Sequence, residues 1–269
     1  GALACGSQTI FYYKMNVTPP AKWAEWGQLI DAFTRHCIDR YGIDEVRQWY
    51  FEVWNEPNLK GFWSGTQNDY FQLYATAARA IKTVDNALRV GGPATAGGAW
   101  IEETIDYCER ERMPLDFVST HSYPQDEQNL YPDGGSPYRP GEYFSDVVKT
   151  VHQTVRRSAR PDLEIHWTEW NTQTAPSKAA VTWRDNTYVD RLYGGSFIVK
   201  NMLALDEAAD SLGYWVASDI FEEHGLSQNP FSCTYGLLTN QGLPKSTANA
   251  FRLLAQLTGE RLPLAGEPD

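Results

Sequence analysis

The chain has 269 residues and a formal net charge of −11, with 42% hydrophobic and 21% charged residues. That balance excludes a fibrous repeat or a disordered tail, and the negative charge argues against nucleic acid gripped through its phosphates. No apolar run approaches the roughly 18 residues of a membrane span.

In chain order, Pro19 and Pro20 open a predicted helix with Trp23, Trp26, Ile30, Phe33, Cys37 and Tyr41 on its apolar face, closed by Gly42. A strand is predicted over Trp49–Trp54. A helix follows over Tyr70–Leu88, with Tyr70, Leu73, Ala77, Ile81, Val84 and Leu88 on one side, and then a short strand over Leu88–Gly92. Trp100–Cys108 reads as a helix, Asp116–His121 as a strand and Tyr143–Ser158 as a helix. Leu163–Trp170 is a predicted strand, Asn186–Leu205 a helix, Gly213–Ala217 a strand and Ser246–Leu257 a final helix. Strands alternating with helices predict parallel βαβ units and the α/β class. Five strands are found where a closed (β/α)8 TIM barrel needs eight.

Aromatic residues reach 13%, including ten tryptophans. Such rings can stack on sugars, but core filling is the expected role of most of them. Cys5, Cys37, Cys108 and Cys233 are scattered, with no C-x-x-C pair, which predicts buried thiols in a reducing compartment and hence a cytoplasmic location. Gly91-Gly92 precedes no Gly-Lys-Ser/Thr and reads as a tight turn at a strand end. Neither H-E-x-x-H nor G-x-S-x-G occurs, and no metal or organic cofactor is expected. His152 and His166 read as structural.

Functional residues of α/β barrels sit past the C-terminal ends of strands. Here those positions carry Asn55-Glu56, His121 with Tyr123, Glu169, and Asp219 with Glu222-Glu223. Two glutamates at separate strand tips, flanked by aromatics, match the proton donor and nucleophile of a glycosidase. Pro57 predicts that Glu56 leaves its strand in an extended turn. Asn55 beside it can hydrogen-bond a ring hydroxyl. Of the pair, Glu56 is expected to have the raised pKa, because an ionised partner and aromatic burial favour its protonated form.

The segments Phe51-Glu52-Val53-Trp54-Asn55-Glu56-Pro57-Asn58-Leu59, Gly61-Phe62-Trp63, Val90-Gly91-Gly92-Pro93-Ala94, His121-Ser122-Tyr123 and Thr168-Glu169-Trp170-Asn171 together resemble glycoside hydrolase family 39, and within it the bacterial β-xylosidases. Ser218-Asp219-Ile220-Phe221-Glu222-Glu223 and Tyr235-Gly236-Leu237-Leu238-Thr239 extend the resemblance along nearly the whole chain. The resemblance implies that Glu56 is the general acid/base and Glu169 the nucleophile. It further implies that Asn55, His121, Tyr123, Trp215 and Glu223 bind the sugar, that Tyr123 hydrogen-bonds the nucleophile, and that Phe62 and Tyr12 line the pocket.

On the same basis the chain supplies the last five β/α units of the barrel over residues 1–262, and residues 263–269 begin a C-terminal accessory region. The implied activity is retaining, exo-acting release of xylose from the non-reducing end of β-1,4-xylosides or xylo-oligosaccharides. Alternatives are an iduronidase-like or arabinosidase-like glycosidase, and an inert carbohydrate-binding fragment. The partner is expected to be the xyloside alone, with no nucleic acid and no membrane. Completion of the barrel by additional polypeptide or a homo-oligomer is expected, with the open edges near Val53 and Val216 covered or rearranged.

Overall fold

The computed structural model describes residues 16–127, 135–139, 142–172, 188–219 and 229–259. Helix α1 spans Trp23–Tyr41 and a short α2 spans Ile43–Val46; strand β1 is Tyr50–Glu52 and helix α3 is Gln67–Val84. Next come β2 (Arg89–Ala96), α4 (Ile101–Arg110), β3 (Phe117–Ser122), α5 (Tyr143–Arg157) and β4 (Glu164–Trp170). A 3-10 turn at Tyr188–Asp190, α6 (Leu192–Ala204), β5 (Ser211–Tyr214) and α7 (Ser246–Leu254) complete the order. The five strands form one parallel sheet in the order β1-β2-β3-β4-β5. Each neighbour in the sheet is also the next strand in the chain, as in a (β/α)8 barrel, of which five units lie among the described residues.

Alternation along the strands separates two environments. Val118, Ile165, Trp167 and Trp170 are buried toward the helical layer, where Phe144 of α5 stacks on Trp170 with ring centroids 5.2 Å apart. Tyr50, Phe117 and His166 meet edge to face on the opposite side of the sheet. His166 is held there by Ser211 Oγ at 2.7 Å and Glu164 at 3.2 Å, and His152 contacts the Ala208 carbonyl at 3.2 Å, so both serve structure. Trp63, Trp167 and Trp170 are fully buried, in line with core filling. Cys37, Cys108 and Cys233 are buried free thiols, and burial pushes the Cys108 thiol up to about 12.

Several boundaries differ from expectation for local reasons. Helix α3 begins before its first apolar contact because Thr66 caps it. The Thr66 hydroxyl accepts from Asp69 N–H at 3.1 Å, and Asp69 accepts from Thr66 N–H at 2.8 Å. On α1, Phe33 and Tyr41 are 52% exposed and Thr34 takes the core position. That polar residue is tolerated because its hydroxyl donates to the Ile30 carbonyl at 2.7 Å. Gly91-Gly92 lies inside β2 and is not a turn. A Cβ at Gly91 would come within 2.3 Å of the Phe117 carbonyl, and one at Gly92 within 2.7 Å of the Tyr70 hydroxyl.

One end of the sheet is closed by the chain itself. Beyond β5, Val216 N–H donates to Tyr235 O at 3.3 Å, while Leu237 and Leu238 donate to Val216 and Ala217 at 2.9 and 3.1 Å. Buried Lys245 pins this segment, with Nζ 2.7 Å from Asp190 and 2.9 Å from Asp219. The outer side of β1, which leads into Val53, has no strand neighbour among the described residues. Residues 263–269 lie outside the described residues.

Candidate active site

Glu56 follows β1 in a conformation unlike the predicted extended turn. Its φ is +45°, and Trp54 two residues earlier has φ +72°. Left-handed backbone at two bulky non-glycine residues costs roughly 1–3 kcal/mol each and persists only where surrounding contacts dictate it. Those contacts are present. Glu56 N–H donates to Ala94 O at 2.8 Å, and the Trp54 indole N–H donates to Phe62 O at 3.0 Å. The Asn58 amide grips both Ala96 N–H and Ala96 C=O at 2.9 Å. Pro57 keeps Glu56 out of the right-handed helical region, and β2 decides which alternative it takes.

Glu169 is aimed by an irregularity in β4. Thr120 pairs with Trp167 but His121 pairs with Glu169, so Thr168 is skipped in the register. Such a bulge lets two consecutive side chains turn toward the same neighbour. Thr168 Oγ1 lies 3.2 Å from His121 Nε2, and Glu169 Oε2 lies 3.6 Å from His121 Nδ1.

His121 is the hub. It is 1% exposed, and its Nδ1 is 3.1 Å from Glu56 Oε1. Tyr123 donates its hydroxyl to Glu169 Oε2 at 2.8 Å. The donor atoms of Glu56, His121 and Glu169 lie within 4.8 Å of one another, the one such cluster of acidic, histidine or cysteine side chains among the described residues. Strands β1, β3 and β4 thus deliver Glu56, His121, Tyr123 and Glu169 to one point. Asn55, Phe62 and Trp215 are half-buried near the same strand ends, and the Trp215 carbonyl accepts from the Asn171 amide. Tyr12 and Glu223 lie outside the described residues.

The Glu169 carboxyl is strongly perturbed by its surroundings. Burial raises Glu169 to about 7, His121 opposes this, the Glu56 charge adds to it, and the Tyr123 hydrogen bond opposes it. For His121 itself, burial disfavours the cation, but the Glu56 hydrogen bond and the charges of Glu169, Glu56 and Glu52 outweigh it and raise its pKa. Burial raises Tyr123 well above the usual phenol range.

Three residues of the site were not singled out by sequence reasoning. Thr168 Oγ1 donates to Glu52 Oε1 at 2.7 Å, extending the cluster to a third glutamate, which lies on β1. The signal was a carboxylate at an inward-facing position of an apolar strand. Asp126 accepts from Tyr123 N–H at 2.8 Å and is buried, and burial raises it to about 7.

Glu169 and Asp126 both have folded-state pKa values above the unfolded ones. The stability each contributes is complete below its unfolded pKa, near 4, and is lost as pH rises through about 7. Asp126→Asn keeps an acceptor for Tyr123 N–H and removes one of these ionisations. Its Tm should therefore gain on wild type as pH is raised from about 5 to about 8, at roughly 2–4 °C per kcal/mol recovered. Parallel Tm–pH curves would exclude Asp126 as a titrating buried group.

A parallel β/α sheet with glutamates projecting from two strand ends onto a shared histidine defines a (β/α)8-barrel protein of the paired-carboxylate class. The chain belongs to glycosyl hydrolases family 39, whose profile matches residues 1–267. It is 46% identical to a β-xylosidase of Caldicellulosiruptor saccharolyticus over 99% of this chain and 53% of that protein. A β-xylosidase of Geobacillus stearothermophilus is 40% identical, over 99% of this chain and 53% of that protein. Among solved structures, a family 39 β-xylosidase from Caulobacter crescentus superposes with a TM-score of 0.80 at 40% identity, covering 94% of this chain and 52% of that one. The chain therefore spans about half the length of the curated relatives it matches. No helix among the described residues is long and apolar enough to cross a membrane.

Proposed function

We propose that the protein containing this chain is a retaining glycosidase that releases xylose from the non-reducing end of β-1,4-xylosides. The observation that carries the reading is the convergence of Glu56 and Glu169 on one histidine, with an oxygen of each carboxylate within 4.8 Å of the other. Double displacement needs carboxyl groups about 5–5.5 Å apart, whereas inversion needs about 6.5–9.5 Å to admit a water between them. Glu169 attacks the anomeric carbon while Glu56 protonates the departing oxygen. Glu56, then ionised, takes a proton from water as that water displaces Glu169. Tyr123, hydrogen-bonded to Glu169 Oε2, orients the nucleophile. Asn55, His121, Trp215, Phe62, Tyr12 and Glu223 complete the sugar subsite in this reading. The names of the relatives support xylose as the sugar.

The test is hydrolysis of aryl β-xyloside, β-glucoside and α-arabinoside, with the first-formed anomer followed by proton NMR. Preferential cleavage of the xyloside with β-xylose appearing first is expected. First-formed α-xylose would exclude the retaining mechanism. Saturable binding of xylo-oligosaccharide without cleavage would favour the carbohydrate-binding alternative.

A further inference from the structure

Thr168 Oγ1 is placed between a carboxylate and a ring nitrogen but carries a single hydroxyl hydrogen. That hydrogen goes to Glu52 Oε1, 2.7 Å away, so Thr168 Oγ1 can only accept from the imidazole nitrogen 3.2 Å on its other side. His121 Nε2 must then carry a hydrogen. In the neutral ring, Nδ1 is left as a bare lone pair directed at Glu56 Oε1, 3.1 Å away. A buried lone pair facing a carboxyl oxygen is satisfied only if a proton lies between them.

We propose that Glu52 and Thr168 are positioning residues that hold His121 in the Nε2–H tautomer, so that the Glu56–His121 pair retains the proton Glu56 must donate. This rests on the acid role proposed for Glu56. The opposite tautomer would direct a fixed Nδ1–H at Glu56 and stabilise its ionised form, which cannot act as an acid. The proton balance is closed. Whichever partner holds the shared proton, Glu56–OH with neutral His121 or ionised Glu56 with imidazolium, the Nε2–H bond to Thr168 is unchanged.

The titratable groups around the ring are Glu52 and Glu56 from the β1 segment, Glu169 from β4, and Tyr123 and Asp126 from the segment after β3. Among the hydrogen bonds these residues make to the ring or to its Thr168 partner, the Thr168–Glu52 link engages Nε2, and Glu56 and Glu169 approach Nδ1. The tautomer is thus set from the side away from the reacting carboxyls.

Long-range proton–nitrogen NMR of the histidine rings reads the tautomer directly. The His121 signal is assigned by its disappearance in His121→Gln, and the tautomer is read in a Glu56→Gln background, whose amide N–H stands in for protonated Glu56, at a pH where the ring is neutral. In that background, the protein with Thr168 intact and Thr168→Ser should both show Nε2–H. Thr168→Val, which removes the acceptor, and Glu52→Ala, which frees the threonine hydrogen to turn toward Nε2, should both show Nδ1–H. Glu52→Gln keeps an acceptor oxygen and should keep Nε2–H. In kinetics, Thr168→Val should move the alkaline limb of kcat/KM to lower pH. It should also cost about tenfold or more on substrates with poor leaving groups, with Thr168→Ser restoring the loss. Nδ1–H in the neutral ring of the Glu56→Gln protein, or an unchanged tautomer when Thr168→Val is added and the protein is folded, would overturn the proposal. A wild-type protein that cleaves no glycoside would count against the proposed function, while the ring nitrogens would still decide the tautomer.

Discussion

Glu169→Ala should abolish turnover, with a loss of roughly 10⁵-fold or more, comparable to removing a covalent nucleophile elsewhere. Without that carboxylate no glycosyl-enzyme bond forms, and the remaining acid faces an anomeric centre with nothing behind it. The space vacated next to the Tyr123 hydroxyl and the buried His121 suits a small anion. Added azide should therefore attack directly and restore part of the activity with an activated aryl xyloside. One displacement inverts the centre, so an α-glycosyl azide is the expected product. A β-configured azide from this variant would contradict the assignment of Glu169 as nucleophile. Because Tyr123 loses its acceptor, a Tm comparison with wild type separates chemical loss from unfolding.

For Glu56→Ala the expected signature is selectivity rather than uniform loss. Substrates whose leaving group needs a proton should slow by about 10²–10⁴-fold, the usual contribution of general acid–base catalysis. Activated aryl xylosides, whose leaving groups depart as anions, should lose much less in the first step. The glycosyl-enzyme should then accumulate, because no base activates the incoming water. Azide should intercept it with net retention, the opposite outcome to that of Glu169→Ala. Equal losses on both classes of substrate would remove Glu56 from the acid role. The substitution also removes the Glu56–His121 contact, while the Ala94 and Ala96 hydrogen bonds that hold the backbone remain.

The irregularities that aim the site were outside the reach of sequence patterns. Glu56 was readable as a strand-end carboxylate, but its left-handed φ depends on a carbonyl of β2 thirty-eight residues downstream. Likewise, alternation along β4 puts Thr168 and Glu169 on opposite faces, and only the skipped pairing against His121 brings both to one ring. The same holds for the raised pKa of Glu169, whose main cause is burial among paired strands that composition and spacing do not encode.

What the sequence by itself determined was the βαβ order, the five strands, the strand-end positions of Glu56, His121, Tyr123 and Glu169, and membership of the family. These are local or short-range properties. Apolar periodicity specifies an element, and a polar residue after an apolar strand marks the mouth of a barrel. Only the tertiary structure decided that Glu52 and Thr168 belong to the site, that Asp126 is buried behind Tyr123, and that the β5 side is closed through Lys245, Asp190 and Asp219. Each of these contacts joins residues from different elements. Their hydrogen bonds and charges depend on register and burial, which arise only when the strands pair.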